Sequence, residues 1–196
     1  HEPRVKHGLG LSYALSPTGA DHIHAIHDTA YTEPTKRMEQ MGIYRGYPAK
    51  QLNEEKIALC YAEILLSTLY NSLVICNHVR LPYRFDVQVL LQAIHAVTGW
   101  DYTLVELLKA AERSLTLARC FNIREGLNPD DDSLPDHFFD SSVGSKDIEP
   151  LNKSDFLRSR RIFYDMMEWS NDRGIPTKGA LHRLAIDLTD DYCLRK

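Results

Sequence analysis

A long apolar run with helical spacing limits what this chain can fold into. Between Asn53 and about Val79, apolar side chains recur three and four residues apart, which is the period of an α-helix. Further along, the run is apolar nearly all round, so we expect a helix that other elements enclose. Asn53 is a plausible N-cap, and Glu54 and Glu55 follow in the first turn, where the helix dipole favours negative charge.

Cap and stop signals predict further helices. The predicted ranges are 87–97, 104–123, 154–169 and 177–186. Asp86 and Ser154 are the expected N-caps of the first and third of these, and Thr103 with Glu106 forms a capping-box pattern before the second. No alternating strand pattern of useful length is present. The predicted fold class is therefore all-α, an irregular bundle of helices with one long loop.

The long loop and the chain length bound the domain organisation. The segment 128–150 contains three prolines, which exclude a continuous helix, and a loop of this length is more often functional or interfacial than idle. The 196 residues suffice to bury a substantial core. We therefore expect one domain, 1–196, with 1–126 and 127–196 as candidate sub-lobes.

Charge and hydropathy argue against two classes of partner. The formal net charge of −4 provides no basic footprint for nucleic acid. The longest apolar stretch, Ile64 to Cys76, is shorter than the roughly 20 residues of a membrane span. The four cysteines have no metal-binding spacing and no secretory signal accompanies them, so we expect reduced thiols and a cytoplasmic protein.

Titratable side chains follow an apolar, glycine-containing run near the start of the sequence. The run HGLGLSYAL ends at a Ser-Pro-Thr-Gly turn, after which Asp21, His22, His24 and His27 come close together. Polar groups at the edge of a buried segment are typical of functional sites. Imidazole suits proton transfer because its unperturbed pKa is about 6.5, although a histidine in such a turn is more often solvated or a cap.

The histidine spacing leaves a zinc hydrolase open as an alternative. His22-x-His24-x-x-His27 resembles the His-x-His-x-Asp-His signature of metallo-β-lactamase-type hydrolases. That signature has an aspartate where Ile26 stands, and it belongs to a β-rich sandwich that this sequence does not predict. Stoichiometric zinc would support this alternative.

Three blocks of sequence occur in this order: HGLGLSYALSPTGADH at 7–22, CFNIREG at 120–126 followed by DDSLP at 131–135, and GIPT at 174–177. Together they resemble the C-terminal part of the tungsten-dependent aldehyde ferredoxin oxidoreductase family. Three blocks in register are more specific than any single motif. The resemblance implies a helical third domain, with the N-terminal pterin-binding domain and the middle domain absent from this chain.

The resemblance also implies prosthetic groups and the residues that hold them. Family members carry tungsten, or molybdenum, held by two pterins, beside a 4Fe–4S cluster. Their motif Asp-x-x-Gly-Leu-Cys supplies a pterin-binding Asp and a cluster ligand, and the matching segment here ends at Cys76. Cys76 is thus implied as the metal ligand, with Asn71, Val74 and Ile75 as cofactor-binding residues. Asn71 and Val74 depart from the family's Asp and Gly.

The same resemblance implies a role for two histidines. In the family the His of the Gly-Ala-Asp-His turn lies near the metal as a proton donor or carbonyl polariser, and here that residue is His22. His24 falls where members often carry a basic residue. Both are therefore candidate catalytic residues of an enzyme that oxidises an aldehyde to the acid.

The implied partners are ferredoxin or a similar electron acceptor, the N-terminal domains of the same protein and, as a homo-oligomer, a second copy. We expect no cofactor in this chain alone and no activity from it, because one cysteine cannot hold a cluster. The departures at Asn71 and Val74 favour an alternative, a helical interaction module that has lost the redox site.

Overall fold

Helices are the main regular structure of the described residues. The computed structural model describes residues 1–80, 86–142 and 148–186. Within these ranges there is no strand, only one isolated bridge between Trp169 and Pro176, and this confirms the all-α prediction. The α-helices are α1 (His7–Leu15), α2 (Lys36–Gln40), α3 (Glu54–Ser72), α4 (Val87–Thr98), α5 (Leu104–Arg124), α6 (Lys153–Met166) and α7 (Lys178–Arg183). None of these described helices is long and apolar enough to cross a membrane.

Local cap signals predicted most of the helix starts. The side chains of Asn53, Asp86 and Thr103 each accept a hydrogen bond from the backbone of the first turn of α3, α4 and α5. Glu106 completes the capping box of α5. Thr177 likewise caps α7, by accepting from the backbone N–H of Ala180.

Both predicted boundaries of α6 were wrong. The N-cap of α6 is Asn152 rather than Ser154, because the Asn152 side-chain oxygen accepts hydrogen bonds from two backbone N–H groups of the first turn. At the other end α6 stops at Met166, before the predicted Trp169. Glu168 adopts a left-handed φ of 54° just beyond the helix, which turns the chain away.

The end of α3 carries the segment of greatest functional interest. The helix ends at Ser72, although the sequence predicted several further residues of helix. Val74 adopts a left-handed φ of 57°. The backbone N–H groups of Val74 and Ile75 donate to the carbonyls of Asn71 (3.1 Å) and Tyr70 (2.9 Å). This pattern is a Schellman motif, which is the reason that the helix stops here.

The longest predicted apolar helix is central to the packing. α3 packs against α1, α5 and α6, which confirms that it is enclosed. One hydrophobic core includes Leu11 of α1, Leu66 of α3, Leu115 of α5 and Phe163 of α6. Residues on both sides of position 126 therefore share a core.

A buried ion pair joins the start of α1 to α3. The Asp28 carboxylate accepts hydrogen bonds from the backbone N–H groups of Gly8 and Leu9, both at 2.9 Å. It also lies 2.9 Å from the Lys56 ammonium, and both charged side chains are completely buried. A Cβ at Gly8 would lie only 2.7 Å from an Asp28 oxygen, so this position requires glycine.

A buried arginine holds the loop that follows α5. Arg119 donates to the Asp132 carboxylate (2.8 Å) and to the carbonyl of Gly174 (2.9 Å). The Tyr164 hydroxyl of α6 donates to the same carboxylate. Asp132, from the block DDSLP, is therefore a structural partner that ties the loop to α5 and α6.

The described cysteines differ in burial and in bonding. Cys60 is buried and free, and Cys76 is exposed and free. Cys120 is disulfide-bonded, so the expectation of reduced thiols was wrong at this position. Cys193, which the same expectation included, lies outside the described residues.

Candidate functional site

A cavity of about 470 Å³ brings two of the predicted site residues together. His24, from the segment after α1, and Asn71, near the end of α3, both line it. On the α5 side the cavity is lined by Leu115, Phe121 and Asn122, among others. His24 and Asn71 come from separate parts of the sequence, so the packing of the segment after α1 beside α3 and α5 creates this site.

The walls of the cavity are neutral apart from the charge that His24 can carry. They combine serine and threonine hydroxyls, the amides of Asn71 and Asn122, and apolar side chains of α3 and α5. Among the residues that the structure describes, no Asp, Glu, Lys or Arg lines this cavity. The Asn122 amide donates to the carbonyl of Pro17 (2.9 Å), which holds the turn after α1 against α5.

Asp21 holds the turn that carries His24. One carboxylate oxygen of Asp21 accepts a hydrogen bond from the backbone N–H of Ile23 (2.8 Å), and the other lies 3.2 Å from Nδ1 of His24. Gly19 adopts a φ of 85°, a conformation that favours glycine, and its carbonyl accepts from the N–H of Asp21. Since Nδ1 of His24 faces Asp21, Nε2 is the ring nitrogen left for other contacts.

The other candidate histidine lies elsewhere. His22 is exposed and does not line the cavity. Its ring centroid lies 4.4 Å from that of His1 and 6.4 Å from that of His27, and its carbonyl lies 3.1 Å from Nε2 of His27. Of the two predicted catalytic histidines, the structure therefore brings only His24 to the cavity with Asn71.

The segment after α3 presents a free thiol. Asn71 and Cys76 are exposed, and Val74 is 92% exposed, whereas Ile75 packs against the core. The Cys76 sulfur lies 3.8 Å from Nδ1 of His78. An exposed thiol just beyond a helix can contribute one ligand to a group that is shared with another domain.

The donor set fits the implied prosthetic groups as one part of a larger site. A 4Fe–4S cluster is held by four thiolates, and Cys76 supplies one exposed thiol here. The Asn71 carboxamide can both donate and accept hydrogen bonds, as the amide-like edge of a pterin requires. Val74 adopts a left-handed backbone conformation that glycine favours, which is the residue that the resemblance expects at this position.

The histidines do not form a zinc site. In the described part of the chain, no group of three or more His, Cys, Asp or Glu side chains could hold a metal ion. His24 faces Asp21, while His22 and His27 contact each other edge to face. The helical fold also lacks the sandwich on which the zinc alternative depended.

Two features of this site were not predicted from the sequence. The first is the pairing of Asp21 with His24, for which the spacing of three residues was the available signal. Phe121 and Asn122 stood within a recognised block without an assigned role.

Comparison with known proteins agrees with the sequence blocks. The family model described as aldehyde ferredoxin oxidoreductase, domains 2 and 3, matches residues 1–186. The tungsten-containing aldehyde ferredoxin oxidoreductase of Pyrococcus furiosus is 28% identical over 194 residues, which cover 95% of this chain and 29% of that protein. The protein of the same name from Thermococcus kodakarensis is 26% identical over 188 residues, covering 92% of this chain and 28% of that protein. The chain thus spans less than a third of the length of these relatives.

Proposed function

Because the chain belongs to the aldehyde ferredoxin oxidoreductase family, we propose that it is the C-terminal helical domain of a tungsten-containing enzyme that oxidises an aldehyde to the carboxylic acid. The N-terminal pterin-binding domain and the middle domain supply the remainder of the site. The cavity that His24 and Asn71 share carries this proposal, because it joins the two segments to which the family resemblance assigns chemistry.

In this proposal, the residues of this chain bind the prosthetic groups and orient the substrate. When bound, tungsten and its pterins would supply the redox chemistry, and an iron–sulfur cluster held in part by Cys76 would supply a route for electrons to ferredoxin. Asn71 offers its amide to a pterin, and Val74 and Ile75 form the turn beside it. Cys76 contributes one cluster thiolate. We place the substrate in the cavity that His24 lines. His22, which is exposed in this chain, acts as a proton donor where another domain covers it.

The proposal also covers the activity of the isolated chain and the location of the enzyme. The isolated chain is inactive, because it contributes a single thiolate and one side of a cleft. The enzyme is cytoplasmic, a location that the free thiols of Cys60 and Cys76 fit and the disulfide of Cys120 does not.

The metal and cluster content of the full-length protein tests this proposal. We expect the protein from the complete gene, produced without oxygen and with tungstate, to contain tungsten, pterin and cluster iron, and to reduce ferredoxin when an aldehyde is added. Replacing the ligand, Cys76→Ser, should remove cluster iron and the electron paramagnetic resonance signal of the reduced cluster.

Cys60→Ser is the matched control. Burial raises the pKa of the Cys60 thiol, so this side chain stays protonated and is a poor metal ligand. The Cys60→Ser protein should retain its iron. A full-length protein without tungsten and pterin, or a Cys76→Ser protein with undiminished iron, would contradict the proposal.

A helical interaction module is the second candidate function, and one surface favours it. Trp100 and Tyr102, with ring centroids 5.6 Å apart, line a groove of about 420 Å³ beside α5. Val97 and Val105, in the neighbouring turns, are 86% and 76% exposed. A metal-free full-length protein that self-associates through this surface, as measured by light scattering with a Trp100→Ser variant, would favour this candidate.

A further inference from the structure

We propose that Asp21 positions His24 so that Nε2 of the imidazole hydrogen-bonds an uncharged carbonyl compound in the cavity shared with Asn71. The inference rests on the proposed function in that an aldehyde is such a compound. It concerns only residues of this chain, and it assigns to Asp21 a role that the family resemblance does not supply.

The contacts of Asp21 fix which nitrogen of His24 is available. Nδ1 lies 3.2 Å from one Asp21 oxygen, and the other oxygen is anchored by the N–H of Ile23 at 2.8 Å. Asp21 does not line the cavity, whereas His24 does. The neutral ring therefore carries its proton on Nδ1 and leaves Nε2 as an acceptor, and the protonated ring donates from Nε2. One nitrogen can thus accept from the hydroxyl of a hydrated aldehyde or donate to a carbonyl oxygen.

The walls of the cavity select the chemical class of the ligand. A volume of about 470 Å³ lies within the range of small-molecule sites. Ile64, Leu115 and Phe121 present apolar surface for an alkyl or aryl body. No lysine or arginine among the described residues lines the cavity, so beside a neutral His24 ring a carboxylate or phosphate would lose its hydration without gaining an ion pair.

The chain contains a matched pair of the same chemistry away from the cavity. Nδ1 of His95 lies 2.8 Å from a carboxylate oxygen of Asp101, and these side chains are 57% and 89% exposed. Neither residue lines the cavity. The pair therefore separates the effect of an imidazole–carboxylate contact from the effect of its position.

The test combines nitrogen-15 NMR of labelled histidines with titration of the full 196-residue chain by benzamide, a stable uncharged carbonyl compound. Asp21→Asn keeps an oxygen for the N–H of Ile23 but removes the charge that faces His24. We expect this variant to move the His24 nitrogen shifts toward the other tautomer. Benzamide binding should weaken roughly two- to tenfold, because the ring loses the charged partner that fixes its orientation and that makes Nε2 a strong acceptor for the benzamide N–H. Asp101→Asn should shift only the His95 signals and leave benzamide binding unchanged.

Two substitutions of the imidazole complete the test. His24→Asn keeps a side-chain N–H where Nδ1 stands and removes Nε2, whereas His24→Gln reaches toward the Nε2 position. We expect His24→Asn to weaken benzamide binding at least as much as Asp21→Asn does, and His24→Gln to retain part of the affinity. Benzoate should bind more weakly than benzamide.

Equal benzamide affinity in the unmodified, Asp21→Asn and His24→Asn chains would overturn the inference. Benzoate binding as tightly as benzamide would do so as well. These results would leave the proposed function standing if the full-length protein contains tungsten and pterin. Conversely, benzamide binding that depends on His24 in a protein without tungsten would support the inference while the proposed function fails.

Discussion

At the scale of single residues, Val74 holds a backbone conformation that suits its family counterpart better than itself. Its φ of 57° costs a β-branched residue roughly 1–2 kcal/mol, and its side chain is 92% exposed, so that removing it loses little packing. We expect Val74→Gly to raise the free energy of unfolding by about 0.5–1 kcal/mol, after the larger backbone entropy of glycine in the unfolded chain is subtracted. Urea denaturation monitored by circular dichroism measures the change.

Val97→Gly is the control for this prediction. Val97 is 86% exposed, as Val74 is, but it lies inside α4, where glycine is a poor residue. We expect this variant to lose stability. A Val74→Gly protein that is destabilised like Val97→Gly would show that the left-handed conformation carries no strain.

At the scale of elements, Asp86 couples α2 to α4. Hydrogen bonds from Lys36 and Gln40 of α2, and from the backbone of Gln88 in α4, lower the pKa of the Asp86 carboxyl to about 2. Because the pKa is lower in the folded state, the stabilisation is complete above the ordinary value of 3.8 and is lost as pH falls toward about 2. We expect the melting temperature of the unmodified chain to fall through this range, and that of Asp86→Asn, which retains the cap, to fall less.

Lys36→Met provides the complementary variant. Lys36 is the largest cause of the lowered pKa of Asp86, so its removal should shift the acid transition toward higher pH. If the unmodified chain, Asp86→Asn and Lys36→Met all respond to acid in parallel, other groups dominate the acid response.

At the scale of the whole molecule, stability depends on the buried pair that joins α1 and α3. Lys56→Met would leave the Asp28 carboxylate buried without its cation, although the N–H groups of Gly8 and Leu9 remain. Breaking such a pair on one side costs about 3–5 kcal/mol. We expect a loss of this size in the free energy of unfolding by guanidinium titration.

An exposed ion pair is the comparison for Lys56. Lys153 lies 3.1 Å from Asp136, and both side chains are more than half exposed. Lys153→Met should therefore cost less than about 1 kcal/mol. Similar losses for Lys56→Met and Lys153→Met would mean that the buried pair adds nothing beyond a surface contact.

The two candidate histidines show how far the site could be predicted from the sequence. The motif favoured His22, yet His22 is exposed and outside the cavity, while His24 lies in the cavity beside Asn71. Both residues lie in one short turn, so only the direction of each side chain distinguishes them. That direction depends on which histidine Asp21 pairs with and on the packing of α5, neither of which the motif specifies.

The fold was predicted incorrectly where a helix begins or ends for a reason that the residue pattern does not show. The sequence did not predict α1 or α2. The ends of α3 and α6 came earlier than expected because Val74 and Glu168 take conformations that usually belong to glycine. A rule based on glycine as the stop signal cannot detect such an end.

The amino-acid sequence alone determined the helical class, most of the helix starts and the family. Caps, apolar periodicity and motif blocks are local, because the groups that interact lie within a few residues of one another. Only the tertiary structure decided that Lys56 is buried beside Asp28 and that the Asp132 carboxylate accepts a hydrogen bond from Arg119. It also decided that His24 and Asn71 line the same cavity. These contacts join distant residues, and their energies arise from burial and charge in three dimensions, which no local pattern records.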